Sequence, residues 1–122
     1  MIETVYKGTN DPNSIRVFKA DGSPFDFSLV DRMTLSISGM GVVADADSES
    51  SLIKWQGGEE GEIIFNLNEL NIAHGQKLYA TLRVFDPGHP KGQVLINGAG
   101  VETIVPRDPE RVLELWFIDP DA

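Results

Sequence analysis

The feature that most constrains the fold is a run of alternating apolar and polar positions that follows Gly75 and ends at Asp86. Side chains of a β-strand point alternately to opposite faces of the sheet, so every second residue shares a face. The alternation therefore predicts a long strand with one face on a core. The positions assigned to that inner face are Leu78, Ala80, Leu82 and Val84.

A tyrosine near the start of this strand indicates a particular class of sandwich. Residues 67–72 are typical of a brief helical turn, which Gly75 ends. In immunoglobulin-like sandwiches, a tyrosine that enters the long strand after such a turn hydrogen-bonds to upstream backbone. We therefore predict that Tyr79 is a corner residue of this kind. The predicted fold class is all-β, an immunoglobulin-like antiparallel β-sandwich of about eight strands.

Turn signals recur about every ten residues, which is typical of an all-β sandwich. Asp21-Gly22 supplies the positive φ that a tight hairpin turn needs. The prolines and glycines of residues 87–92 predict a loop, and residues 45–51 predict a polar acidic loop. Besides the strand that ends at Asp86, we predict strands over residues 4–7, 14–19, 32–38, 42–44, 52–55, 62–67, 93–96 and 101–105.

The C-terminal segment, residues 107–122, follows the predicted sandwich domain of residues 1–106. Asp108-Pro109-Glu110 suits either a helix start or a type I turn. The β-branched and aromatic run after it favours a strand. One face of that strand would carry Leu113, Leu115 and Phe117, and the other Val112, Trp116 and Ile118.

A two-layer sandwich buries only one face of each strand. The second apolar face of the C-terminal segment therefore needs a cover, either from the rest of this chain or from a partner. We take the segment as packed on the domain or on a partner, and as the candidate interface. Trp116 is the best single candidate for a partner contact, because aromatic residues are enriched at interface centres. The candidate interface residues are Val112, Leu113, Leu115, Trp116, Phe117 and Ile118.

Composition argues against several classes of partner. The chain has 122 residues, no cysteine and a net charge of −9, from 19 acidic and 10 basic residues. Nucleic acids and anionic membranes require basic surfaces, so we expect neither as a partner. Disulfides and thiolate metal sites have no ligands here. The N-terminus lacks the pattern of a signal peptide, so we expect synthesis and retention in the cytoplasm.

Catalytic motifs are not visible in the sequence. The two histidines, His74 and His89, lie in stretches typical of exposed turns, and no serine occupies a nucleophile elbow. Asp45, Asp47 and Glu49 place carboxylates at alternate positions but lack the glycine and the distal glutamate of a calcium hand. We interpret them as a solvated loop, with a weak calcium site as the alternative. We predict no enzyme, no catalytic residue, no metal and no cofactor.

The aromatic residues leave a second hypothesis open. Trp55, Trp116, Tyr6 and Tyr79 are possible stacking platforms for a sugar, as in a carbohydrate-binding module. Packing in the core or at an interface is the preferred interpretation for each of them. A third hypothesis, a small hydrolase with facing carboxylates, has no local motif in its favour.

The order of segments resembles a known family. The stretches that carry the resemblance are residues 20–28, 33–37, 61–67 and 75–80, and the resemblance covers most of residues 1–105. They resemble the amino-terminal immunoglobulin-like domain of bacteriophage baseplate upper proteins and related small prophage tail proteins. The resemblance implies a structural role without cofactor or catalytic residues, in which the chain attaches to other virion proteins, usually as an oligomer. It also implies synthesis in the host cytoplasm and assembly into a virion.

Overall fold

Two β-sheets are present in the computed structural model, which describes residues 2–18, 22–47, 52–55, 61–96 and 113–122. The described residues form nine strands and no helix. The strands are β1 (Ile2–Tyr6), β2 (Asn13–Arg16), β3 (Arg32–Ile37), β4 (Gly41–Asp47), β5 (Ile53–Trp55), β6 (Glu62–Phe65), β7 (Gln76–Asp86), β8 (His89–Ile96) and β9 (Leu113–Ile118).

The larger sheet has the strand order β1-β9-β7-β3-β4, with β8 also paired to β7, and the smaller sheet has the order β2-β6-β5. Two packed sheets of six and three strands, with no helix among the described residues, confirm the predicted all-β sandwich. One pair departs from the antiparallel prediction: β1 runs parallel to β9, in the register Ile2 to Glu114 through Tyr6 to Ile118. On its other side β9 is antiparallel to β7, so the larger sheet is mixed.

The core lies between the two sheets and is built from the alternating residues of each strand. The inner faces of β3 and β7 contribute side chains with at most 1% exposure, and so does β9. The smaller sheet supplies buried isoleucines and Phe65. Burial of each such side chain stabilises the fold by about 1.5–3 kcal/mol. The innermost residues include Met33, Leu35, Ile37, Ile53, Ile63, Phe65, Ala80, Leu82, Val84, Leu113, Leu115 and Phe117.

The C-terminal segment is part of this architecture. β9 lies inside the larger sheet, between β1 and β7, so the segment packs on the domain itself. The preference for a strand over a helix is confirmed, as is the inner face formed by Leu113, Leu115 and Phe117.

Two local predictions were wrong. Asp45 and Asp47 belong to β4, because an acidic side chain is accommodated on the solvent face of an edge strand. β8 begins at His89 and continues through Pro90, because an edge strand tolerates a residue without an amide hydrogen. The brief turn predicted within residues 67–72 is present at residues 68–70, where the Leu70 amide donates to the carbonyl oxygen of Leu67 at 3.2 Å.

The corner assigned to Tyr79 was also wrong. Ala80, Leu82 and Val84 point into the core, so the alternation of β7 directs Tyr79 outward. Its side chain is 46% exposed, whereas a corner tyrosine hydrogen-bonds back to upstream backbone. Tyr79 is therefore a surface residue of the larger sheet. The strand predicted over residues 101–105 lies outside the described residues, as does part of the hairpin at residues 20–24.

Two buried asparagines fasten the edge strand β1. Asn13 Nδ2 donates to the carbonyl oxygen of Thr4 at 2.9 Å and to Glu3 Oε1 at 3.2 Å. Asn68 Nδ2 donates to the carbonyl oxygens of Tyr6 at 2.7 Å and of Asp11 at 3.0 Å. These bonds occupy carbonyl groups of an edge that would otherwise present unpaired backbone. They hold β1 in place, and β1 supplies Ile2 and Tyr6 to the outer face of the larger sheet.

Candidate interaction face of the larger sheet

One end of the outer face of the larger sheet collects apolar and aromatic side chains from β1, β9 and β7. On each strand the outward residues alternate with buried ones, such as Val5 in β1 and Leu115 in β9. We call this surface the outer patch. It consists of Ile2, Thr4, Tyr6, Lys77, Tyr79, Glu114, Trp116 and Ile118.

Strand register fixes the neighbours within the outer patch. Trp116 lies between Thr4 of β1 and Lys77 of β7. One step along the same face, Glu114 lies between Ile2 and Tyr79. Directly paired side chains on one face of a sheet are about 4.5–5.5 Å apart at Cβ, so these residues form a continuous surface.

Several large apolar and aromatic side chains of the outer patch are exposed to solvent. Ile2 is 54% exposed, Tyr79 46% and Tyr6 43%, while Trp116 and Ile118 are half-buried. Single exposed hydrophobic residues are ordinary, but a contiguous group of them marks a contact surface. The outer patch is therefore the candidate functional site.

Trp116 is the centre of the outer patch. Lys77 Nζ lies 4.0 Å from the centroid of the indole ring, which is a cation–π geometry. The indole Nε1 is buried and has no hydrogen-bond partner among the described residues.

The other end of the same face, where Val42 is also exposed, carries an ion pair and a cation–π contact within the chain. Arg32 Nε and Nη2 each donate to the carboxylate of Asp45 at 2.8 Å, and the guanidinium lies 4.5 Å from the ring centroid of Phe85. Both charged side chains remain about half exposed, so solvent weakens the pair. Only the β1–β9–β7 end thus combines exposed apolar side chains with an unpaired donor among the described residues.

The Arg32–Asp45 pair has a defined pH dependence. The hydrogen bond from Arg32, together with its charge, lowers the pKa of the Asp45 carboxyl from its ordinary value of 3.8. A carboxyl with a depressed folded-state pKa contributes stability above its unfolded pKa. The contribution of this pair is therefore present above pH 3.8 and is lost as the pH falls through the lowered pKa.

The candidate interface residues of the C-terminal segment divide into two groups. Leu113, Leu115 and Phe117 have 0% exposure and lie in the core, where no partner can reach them. Trp116 and Ile118 lie on the outer face, within the outer patch. Val112 lies outside the described residues.

Several residues of the outer patch were not among the candidate interface residues drawn from the sequence. Ile2 and Tyr6 alternate with buried Val5, and this short period was visible in the sequence. Tyr79 was placed at a structural corner although its alternation with Ala80 directs it outward. Strand pairing, which brings these distant segments beside Trp116, has no signal in any one segment.

The other sequence candidates have local roles. His74 Nδ1 accepts a hydrogen bond from the Asp119 amide at 2.9 Å, and His89 Nδ1 lies 2.8 Å from Asp86 Oδ1 across a turn. Trp55 is half-buried, and its indole donates to the carbonyl oxygen of Val30 at 3.2 Å.

Of the predicted acidic loop, Asp45 binds Arg32, whereas Ser48 and Glu49 lie outside the described residues. Within the described ranges, no three histidine, aspartate or glutamate side chains are grouped to hold a metal ion. The same ranges contain no helix with the length and hydropathy needed to span a bilayer.

Comparisons of the chain with protein-family models, with curated proteins and with solved structures found no match.

Proposed function

We propose that this chain is a non-enzymatic structural or adaptor protein of a phage or prophage tail or baseplate, which acts through protein–protein contacts. The observation that carries the proposal is the outer patch, with three exposed apolar side chains around Trp116. Tyrosine and tryptophan side chains are the residues most enriched where proteins bind one another. The outer patch is thus the proposed contact surface.

Two separate arguments support the two halves of this proposal. Contact with proteins is supported by the composition of the outer patch, which combines apolar bulk with one cation and one acid, Lys77 and Glu114. Assignment to a phage tail is supported by the resemblance of the strand-and-turn order to baseplate upper proteins. Other virion proteins and further copies of the chain are the proposed partners, with no cofactor, nucleic acid or membrane.

A carbohydrate-binding module is the second candidate, and one observation favours it. Tyr6 and Tyr79 present exposed rings on a single sheet face, and such rings can stack on a sugar. Trp55 gives this candidate no support, because its indole is tied to Val30. Lys77 covers one side of the Trp116 ring, which reduces the area for stacking.

Purified particles test the phage assignment. Prophages of the strain that encodes the chain are induced, particles are separated on a density gradient, and the chain is quantified across the fractions by mass spectrometry. We expect it to follow the tail proteins at a constant ratio. A host cytoplasmic protein of similar abundance is the control, and it should stay at the top of the gradient.

A chain that stays with the control protein would contradict the phage assignment. If the free chain also bound soluble oligosaccharides, and Tyr79→Ala removed that binding, the carbohydrate-binding candidate would replace the proposed function.

A further inference from the structure

We infer that the occupant of the outer patch is a second copy of this chain, packed face to face about a twofold axis. This inference rests on the proposed function, because it takes the outer patch to be a protein-contact surface. It goes further by naming the partner and the pairs of side chains that meet.

The centre of the outer patch is a rectangle of four side chains. Lys77 is paired with Trp116, and Tyr79 with Glu114, across β7 and β9. Neighbouring strands are about 4.8 Å apart, and residues two positions apart along a strand are separated by about 6.6 Å. The cation and the acid therefore occupy diagonal corners of a rectangle of about 4.8 Å by 6.6 Å, and the two aromatic residues occupy the other diagonal.

This arrangement is self-complementary. A twofold axis that lies in the contact plane, along the diagonal from Tyr79 to Trp116, brings each Lys77 to within about 2.5 Å of the position opposite the partner's Glu114. Each lysine then faces the partner's Glu114, and each aromatic ring meets its own copy. The strands of the two larger sheets cross at about 70°, which is closer to the orthogonal than to the aligned way for sheets to pack.

Charge also favours a second copy at this particular surface. Two chains of net charge −9 repel each other over most of their surfaces. The two charges of the outer patch cancel within the patch itself, so two copies can approach here without added repulsion. Isologous contacts of this kind are by far the commonest in soluble homo-oligomers.

The size of the outer patch sets the expected strength of the dimer. Three strands of about five residues cover roughly 14 Å by 17 Å of sheet. A standard stable interface contributes about 800 Å² from each partner, which is considerably more. We therefore expect a weak dimer whose population rises with protein concentration.

Charge reversal tests the pairing directly, with the association constant measured by sedimentation equilibrium. Lys77→Glu and Glu114→Lys should each weaken self-association by about tenfold or more, because like charges would then face each other twice. An equimolar mixture of the two variants should form a heterodimer, because opposite charges face each other again.

Lys54→Glu is the control variant, because it makes the same change in charge as Lys77→Glu but on the exposed side of the smaller sheet. It should dimerise like the wild type. Circular dichroism and thermal melting check that each variant is folded.

Three results would overturn the inference: a wild-type chain that stays monomeric at the highest soluble concentration, single variants that still dimerise, or a mixture that does not restore association. Loss of association in Lys54→Glu to the same extent would also overturn it, because the effect would then be one of total charge. Failure of the proposed function gives a different result. A chain absent from phage particles that still shows rescue in the mixture refutes the phage role alone, and a particle-bound monomer refutes the dimer alone.

Discussion

Replacing Gly61 by alanine is expected to lower the free energy of unfolding by about 2–5 kcal/mol. The estimate has two terms. Gly61 has a φ of +64°, where an L-residue costs about 1–2 kcal/mol. A Cβ built there would lie 2.4 Å from the carbonyl oxygen of Val17 and 3.0 Å from the amide nitrogen of Phe25, and overpacking of this kind costs about 1–3 kcal/mol.

The atoms that this Cβ would meet belong to the backbone, so they cannot move aside cheaply. The Val17 amide donates to the carbonyl oxygen of Gly61 at 2.8 Å, and the Phe25 amide donates to the carbonyl oxygen of Val17 at the same distance. A shift at Gly61 therefore disturbs both hydrogen bonds beside the smaller sheet. The denaturant midpoint in guanidinium chloride measures the loss.

Gly75→Ala is the matched control for this substitution. Gly75 has a φ of +86°, but a Cβ there would meet nothing within 4 Å. It should lose only the conformational term, about 1–2 kcal/mol. Equal destabilisation of the two variants would show that the contact with Val17 is not present in the folded protein.

Asn68→Ala is expected to destabilise the protein by about 1–3 kcal/mol, because it removes two hydrogen bonds made by a buried side chain. The Asn68 side chain is 2% exposed and donates to the carbonyl oxygens of Tyr6 and Asp11. Asn68→Asp keeps the shape but has no amide donor, so it should be at least as harmful. Urea denaturation measures the change in the free energy of unfolding.

Asn66→Ala is the control for Asn68→Ala, because Asn66 is exposed two residues earlier in the chain. It should change the free energy of unfolding by less than about 0.5 kcal/mol. If Asn68→Ala were as mild as this control, the asparagine would not fasten β1. Since β1 carries Ile2 and Tyr6, loss of Asn68 should also weaken self-association through the outer patch.

Strands with a strong period of two were predictable from the sequence. β3, β7 and β9 each carry three buried apolar residues at alternate positions, and this pattern needs no knowledge of the neighbouring strands. Predictions from weaker patterns were wrong where the position of a strand in the sheet decided the local structure. An edge position allowed Pro90 and Asp45 to lie in strands, although both residues are rare in strand interiors.

The outer patch was only partly predictable. The sequence indicated that the C-terminal segment has two apolar faces, and it placed Trp116 and Ile118 on one of them. The neighbours of Trp116 come from β1 and β7, which are distant in the chain and are joined to β9 by sheet register. The alternation of Tyr79 with buried Ala80 indicates that Tyr79 points outward. The interpretation of Tyr79 as a tyrosine corner gave it a structural role instead.

The contact role of the outer patch is the central claim, and site-specific photo-crosslinking tests it most directly. A photoreactive phenylalanine analogue replaces Tyr79 in one variant and Lys54, on the smaller sheet, in another. The two variants are irradiated as concentrated protein and in particles. The account predicts cross-linked protein from position 79, with a second copy joined within the outer patch, and none from position 54. Cross-links from position 54 alone would contradict it.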